Sequence, residues 1–217
     1  MSNGIDLQEL ARQLSCPTGD YGKEIGEIMN TNNFGMTKKA IDSLQIKNKD
    51  QLLELGHGNC KHLDYVLKQA DFLGYIGLEV SEIMKSNALD NNIHFLKTDI
   101  RFELFDGKKI HFHEKRFDKI FTVNTIYFWE NPESFLKEIY RVLKFDGLFS
   151  LTFSTSSFMK TLPFTEFGFK LYSENEVINL LKMSNFKIEK IDSFTENVIS
   201  KSGDEVERES INIVVSK

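Results

Sequence analysis

The chain has 217 residues, 41% apolar and 27% charged, with a formal net charge of −5. That length suits one α/β domain with a full core, and the balance excludes a largely disordered chain. The acidic sum argues against a surface built to neutralise a phosphate backbone, and two cysteines, Cys16 and Cys60, are too few for a disulfide framework.

The opening stretch MSNGIDLQELARQLSC lacks the apolar segment of a signal peptide, and no window approaches the roughly 18 apolar residues of a membrane span. A cytoplasmic protein with no membrane and no nucleic-acid partner is the expectation. Residues 1–48 read as a helical cap. GKEIGEIM places Ile25, Ile28 and Met29 on one side of a helix, and MTKKAIDSL does the same with Ala40, Ile41 and Leu44. Such helices could cover the sheet edge where a ligand sits, or exchange between subunits of a homo-oligomer.

From residue 49 onward short apolar runs alternate with amphipathic stretches, the pattern of βαβ units feeding a mostly parallel sheet. QLLEL is the first strand and ends at Gly56, with a helix expected from Asn59 through KHLDYVLKQA. YIGLEV is the second strand, followed by SEIMKSNAL, a helix that Ser81 can cap. IHFLKTD is expected as a third strand ending at Asp99, and FDKIFTVN as a fourth, buried on both faces. Asn131 as cap and Pro132 at the first helical position open the next helix, which Asp146-Gly147 is expected to end. LFSLTF is a fifth strand. Ser173 and Glu176 form a capping box for EVINLLKMS, and FKIEKIDSF and ESINIVVS make an antiparallel pair around Ser202-Gly203-Asp204.

The stretch LLELGHGNC carries the most chemistry. A strand entering a tight Gly-x-Gly turn before a helix leaves backbone N–H groups unshielded, the place where open α/β sheets bind nucleotides. A dinucleotide fingerprint would need glycine at position 61, which is Lys61, and no P-loop sequence occurs.

Residues 51–217 resemble the class I S-adenosylmethionine-dependent methyltransferases, of the methyltransferase type 11 kind. ELGHGNC matches their acidic-x-Gly-x-Gly-x-Gly motif, with Cys60 in place of the third glycine. GLEVSEIMKSNA is similar to their second motif, and RFDKIFTVNTIYFWENPESFLKEIYRVLKFDGLFSLTF to their fourth and fifth, with LKFDG replacing the usual Leu-Lys-Pro-Gly-Gly. The resemblance implies a Rossmann-like, doubly wound α/β fold: a mostly parallel seven-stranded sheet with an antiparallel C-terminal strand pair, spanning residues 49–217 behind the N-terminal helical cap. It implies S-adenosylmethionine as cofactor, held by Glu54, Gly56, His57 and Gly58, by Glu79, Val80 and Met84, by Asp99 and Ile100, and by Asn124. Glu79 would meet the ribose hydroxyls and Asp99 the adenine amino group.

Methyl transfer asks mainly that an electron-rich atom be held against the methyl carbon with water excluded, and aromatic faces favour a sulfonium. Asn124, Tyr127 and Trp129, in NTIYFWENP after the fourth strand, are therefore the expected pocket residues, with Tyr21 reaching over from the cap. The plainer alternatives are aromatics packed under the next helix and a structural Tyr21. His57 is expected to lend backbone, with its ring at the rim. His111, His113 and Glu114 read as a solvated hairpin, and no metal site is expected. Amino methyltransferases of this fold that act on nucleic-acid bases carry an Asn/Asp-Pro-Pro-aromatic motif where this chain has NTIY, so the expected partner is a small-molecule methyl acceptor. A protein that keeps the fold without catalysis, and an NAD-dependent oxidoreductase, are the alternative readings.

Overall fold

The computed structural model describes residues 6–96, 99–199 and 205–217. Two helices, α1 (Leu7–Ser15) and α2 (Gly19–Ser43), precede the strands β1 (Gln51–Leu55), β2 (Gly74–Glu79), β3 (Ile100–Leu104), β4 (Phe117–Val123) and β5 (Leu143–Ser154). Helices α3 (Leu63–Leu67), α4 (Glu82–Asn91) and α5 (Pro132–Val142) lie between them, and α6 (Ser156–Met159) and α7 (Glu174–Met183) lead to β6 (Lys187–Ile199) and β7 (Glu205–Ser216). The seven strands run in the order β3-β2-β1-β4-β5-β7-β6. The first five are mutually parallel, and β7 pairs antiparallel with both β5 and β6. This is the doubly wound fold, whose strand order reverses at β1 and β4 and so opens a crevice beyond their C-terminal ends.

Alternation along the strands sorts the core into two layers. Leu53, Leu55, Ile76, Leu78 and Ile120 pack with α5 and α7, whereas Leu52, Tyr75 and Phe121 pack with α2, α3 and α4. Glu54 shares the Leu52 face, because side chains two apart point the same way. An acid therefore stands in the second layer and must find partners there.

Local signals set several boundaries as expected. Ser81 accepts a hydrogen bond from the Met84 amide, Asn131 caps α5 ahead of Pro132, and Ser173 with Glu176 completes a capping box. Other expectations are corrected. IHFLKTD is not a strand: α4 runs to Asn91, Ile93–Phe95 is a 3-10 turn, and β3 starts only at Ile100 (Lys97 and Thr98 lie outside the described residues). The strand is IRFEL, whose alternating Ile100 and Phe102 are buried, as an edge strand with one covered face requires. The helix expected from Asn59 is delayed to Leu63, because Gly58 and Cys60 hold positive φ values of 56° and 48° and keep the chain turning. Helix α5 stops at Val142, before Asp146-Gly147, and β5 bulges where the register against β4 shifts between Phe117 and Lys119. The turn expected at Ser202-Gly203-Asp204 lies outside the described residues.

The N-terminal part also differs in form. α1, capped by Asp6, had no counterpart in the sequence reading, and the two expected helices of the cap are one 25-residue helix. Its C-terminal half buries Met36, Ala40, Ile41 and Leu44. The last three belong to the same core layer as Leu52 and Phe121. α2 is thus at once sheet cover and cap. No helix of the described residues is long and apolar enough to cross a membrane.

Because Ile41 is fully packed between α2 and the sheet, Ile41→Ala should lower stability by about 2–5 kcal/mol, in a single urea transition followed by fluorescence and far-UV dichroism together. A separate early transition confined to helix signal would show that α2 is not part of the sheet's core.

Candidate functional site

A cavity of about 360 Å³ opens at the C-terminal ends of β1, β2, β3 and β4. Its floor is the glycine turn. Gly56 has φ 75°, and a Cβ there would stand 2.5 Å from Thr125 Cγ2, so the turn and β4 approach one another only because position 56 has no side chain. Gly58 has φ 56° and nothing within 4 Å of where a Cβ would be, so its backbone faces open space.

Glu79, ending β2, ties this turn down. Its Oε2 accepts from the Gly58 amide at 2.9 Å, and its Oε1 accepts from the Val80 amide at 2.8 Å and the Ser81 amide at 3.1 Å. A carboxylate offers about four acceptor positions, so one position on Oε2 stays available to a ligand hydroxyl.

Glu54 lines the same cavity, but its carboxylate is engaged beneath the turn. Oε2 accepts from the Tyr75 hydroxyl and lies 2.8 Å from His62 Nε2, and Cys60 Sγ is 3.2 Å from Tyr75 Oη. Burial opposes a charge on His62, but the Glu54 carboxylate outweighs it and raises the imidazole's pKa well above its ordinary value. Burial pushes the Cys60 thiol up. Cys60, at positive φ, fills its position with sulfur against Tyr75 rather than merely standing in for a glycine. Donor atoms of Glu54, Cys60 and His62 lie within 4.8 Å of one another, a set that could hold a metal ion and that the sequence reading did not single out.

His57 does not stand at the rim. Its ring is buried over Gly77, where a Cβ would come within 2.6 Å of His57 Cδ2, and it packs on Phe102 at 5.1 Å. Nδ1 donates to the Gly58 carbonyl at 2.7 Å, Nε2 has no partner, and burial lowers the pKa, so the ring is held neutral.

The remaining expected residues divide. Val80 and Met84 line the cavity, Met84 packing so close to α2 that a Cβ at Gly26 would stand 2.6 Å from its Cε. Asn124, at φ 57°, and Trp129 also line it, with Trp129 Nε1 donating to Thr125 Oγ1 at 3.2 Å. Tyr127 faces a second cavity, and its hydroxyl is committed to Ser154: it accepts from the amide at 2.6 Å and donates to the carbonyl at 3.1 Å. Tyr21 is exposed at 40% and lines none of the cavities described here, so the reach expected from the cap is not made. Asp99 and Ile100 are corrected as well: Tyr75 pairs with Ile100 and its amide bonds the Asp99 carbonyl, which puts both residues at the opposite end of the sheet from the cavity. The residues that do end β3 at the cavity are Phe105 and Asp106. Asp106 Oδ1 accepts from the Lys108 and Lys109 amides, which lower its pKa. The alternation of IRFELF was the signal that could have placed them.

α1 and α2 close the cavity from above. Ser81 Oγ donates to the Pro17 carbonyl at 2.6 Å, Asn59 Nδ2 donates to Glu27 Oε1 at 3.2 Å, and Lys61 pairs with Glu27 at 2.5 Å. The cap is thereby stitched to the glycine turn and to the start of α4.

Comparison with known proteins agrees with this architecture. Residues 53–151 match the methyltransferase domain family. The chain is 28% identical over 133 residues to phosphoethanolamine N-methyltransferase 3 of Arabidopsis thaliana, covering 61% of this chain but 27% of that protein. It is 29% identical over 154 residues to YrhH of Bacillus subtilis (strain 168), a protein described as a methyltransferase, covering 68% of this chain and 74% of the relative. A Haloferax volcanii methyltransferase solved in complex with the Trm112 methyltransferase activator shares the fold at TM-score 0.74 and 17% identity, covering 89% of this chain and 94% of that one. Residues 53–151 are thus a methyltransferase domain, and the chain has the fold of S-adenosylmethionine-dependent methyltransferases, a class whose cofactor is S-adenosylmethionine.

His62→Gln leaves Glu54 buried without its counter-charge and should cost about 3–5 kcal/mol. Since the folded pKa of His62 is raised, the advantage of the native chain over this variant should be full below about pH 6.5 and shrink as pH rises through the folded value. Urea unfolding at several pH values checks this, and an advantage that grew toward alkaline pH would contradict the charge assignment.

Proposed function

We propose that the protein transfers the methyl group of S-adenosylmethionine to a small-molecule acceptor. The observation that carries this reading is the cavity's polar floor and its continuation. Gly58 leaves a cradle open, Glu79 keeps one acceptor position beside it, and the cavity runs on into a smaller apolar one under the N-terminal helices.

The residues fit the cofactor's parts. Glu79 would receive a ribose hydroxyl on Oε2. Phe105, Asp106 and Val80 stand where the adenine would lie, replacing the role expected of Asp99 and Ile100, and Gly56 and Gly58 would let the methionine portion lie against bare backbone. The cofactor supplies a methyl carbon on a sulfonium, which a nucleophile takes while the C–S electron pair leaves on sulfur.

The chain's own part is binding, orientation and exclusion of water. Trp129 and Phe128 offer aromatic walls, the former anchored edge-on against Phe135 at 4.9 Å. Asn124 stands at the junction of the two cavities, its Oδ1 3.1 Å from the Tyr127 hydroxyl as the alternative acceptor of that group's one proton, and its Nδ2 donating to Asn33 of α2. Tyr127 acts through Asn124 and Ser154 as a positioning residue. Its burial raises the hydroxyl's pKa, which sets it against a role as a proton acceptor. His57 is held neutral under the turn and serves as its support.

A small acceptor is favoured because α1 and α2 roof the cavity through the Pro17 and Glu27 contacts.

In calorimetry the protein should bind S-adenosylhomocysteine, with Glu79→Ala weakening binding by about 1.5–3 kcal/mol and Asp99→Ala leaving it unchanged. Equal loss in both variants would overturn the placement of the adenine at the β3 end.

A further inference from the structure

The cofactor cavity adjoins a second one of about 130 Å³, with which it shares Leu14, Met29, Asn33, Asn124 and Phe128. The phenylalanine-rich stretch SFMKTLPFTEFGF, between β5 and α7, supplies much of its wall. Phe158, Met159, Leu162 and Phe169 come from that stretch, and Val198 and Val206 from the β6-β7 pair. The Phe169 ring lies 4.7 Å from Phe128, 5.7 Å from Phe164 and 5.9 Å from Tyr127, centroid to centroid, so these rings brace one another and the wall is formed before any ligand arrives.

Polar groups also line this cavity, and they are bonded within the protein. The Tyr127 hydroxyl is held on the Ser154 backbone, and Ser154 Oγ stands 3.4 Å from Ser210 Oγ. Asn124 Nδ2 donates to Asn33 Oδ1 at 3.2 Å. Arg208, 6% exposed, is the sole charged side chain among the described residues lining the cavity. Its charge is matched by Glu196 Oε1 at 2.7 Å, and it donates further to Asn33 Oδ1 at 2.9 Å and the Asn32 carbonyl at 2.6 Å. Its Nε lacks a partner but is buried and presents no surface to the cavity.

The ionic and hydroxyl groups are thus spent on the protein itself, and a molecule entering the cavity meets mainly carbon. A carboxylate or an ammonium placed there would give up its water without gaining a counter-charge. The amides of Asn33 and Asn124 stand instead where the two cavities meet. Size follows from volume, since a carbon-lined cavity of about 150 Å³ holds one benzene molecule.

We propose that the second cavity receives an uncharged, apolar part of the methyl acceptor, about as large as one six-membered ring, and that the acceptor's nucleophilic atom stays at the junction beside Asn124, facing the cofactor cavity. The word acceptor rests on the methyltransferase reading. The preference for an uncharged apolar ligand rests on the cavity alone.

The test is methionine-methyl NMR of the full chain titrated with toluene, benzoate and benzylammonium, first without S-adenosylhomocysteine and then with it at saturation. Toluene should bind at about 1 mM or tighter. It should shift the methyl resonance of Met159 and leave in place that of Met183, which is exposed on α7. Each charged analogue should bind about tenfold more weakly or worse, and S-adenosylhomocysteine should leave toluene bound. Val198→Trp fills the cavity from a half-buried position on β6 and should abolish the Met159 shift. Should that variant not fold, as read by far-UV dichroism, the ranking of the three probes on the native chain decides. Toluene that leaves Met159 unshifted, a charged analogue that binds as tightly as toluene, or toluene displaced by S-adenosylhomocysteine would overturn the proposal. Absence of S-adenosylhomocysteine binding would strike the methyltransferase reading alone, since the probe ranking is read without it.

Discussion

The Glu79 carboxylate organises this molecule. It collects three backbone amides, Gly58 from the turn after β1 and Val80 and Ser81 from the start of the next loop, and so locks two crossover connections together at the point where the sheet reverses its strand order. Hydrogen bonds to a carboxylate are among the stronger ones, and these are made in a buried setting where water does not compete. The same geometry that fixes the loops leaves one acceptor position facing the cavity. The side chain that ties the loops together is thus also the one with an acceptor position left over.

Below that turn a second buried acid, Glu54, serves a different end. Its partners are His62, Tyr75 and, through Tyr75, Cys60, all within the layer covered by α2, α3 and α4. The acid of the glycine motif therefore supports the turn from beneath, while Glu79 ties the turn from the cavity side. α2 joins both levels. Its C-terminal half is core, and its N-terminal half roofs the cavity through Glu27 and supplies Asn32 and Asn33 to the buried arginine.

What the sequence revealed follows the range of the chemistry involved. The glycine turn, Glu79, the caps at Ser81, Asn131 and Ser173, and the strand order up to β2 are local, and their residue types announce them. The third strand was misplaced because IHFLKTD and IRFELF are both plausible runs, and only pairing with β2 decides which one the sheet takes. That error moved the expected adenine contact from the cavity end to the far end, at Asp99. His57 was expected at the rim because nothing in the turn's sequence shows that Gly77, twenty residues on, leaves a place for its ring. Arg208 was missed for the same kind of reason. In EVERES it looks like one more charge on a solvated strand, and its burial arises only when Glu196, Asn32 and Asn33 arrive from elements far away in the chain.

The central claim is that the turn between β1 and α3, with Glu79 beside it, is where the cofactor lies. A crystal structure of the protein with S-adenosylhomocysteine tests it most directly. The account predicts the ligand across Gly56 and Gly58, a ribose hydroxyl on Glu79 Oε2, the adenine beside Phe105 and Asp106, and the sulfur directed toward Asn124 and the junction of the two cavities. A ligand bound with its adenine near Asp99, or one that leaves Glu79 untouched, would contradict it.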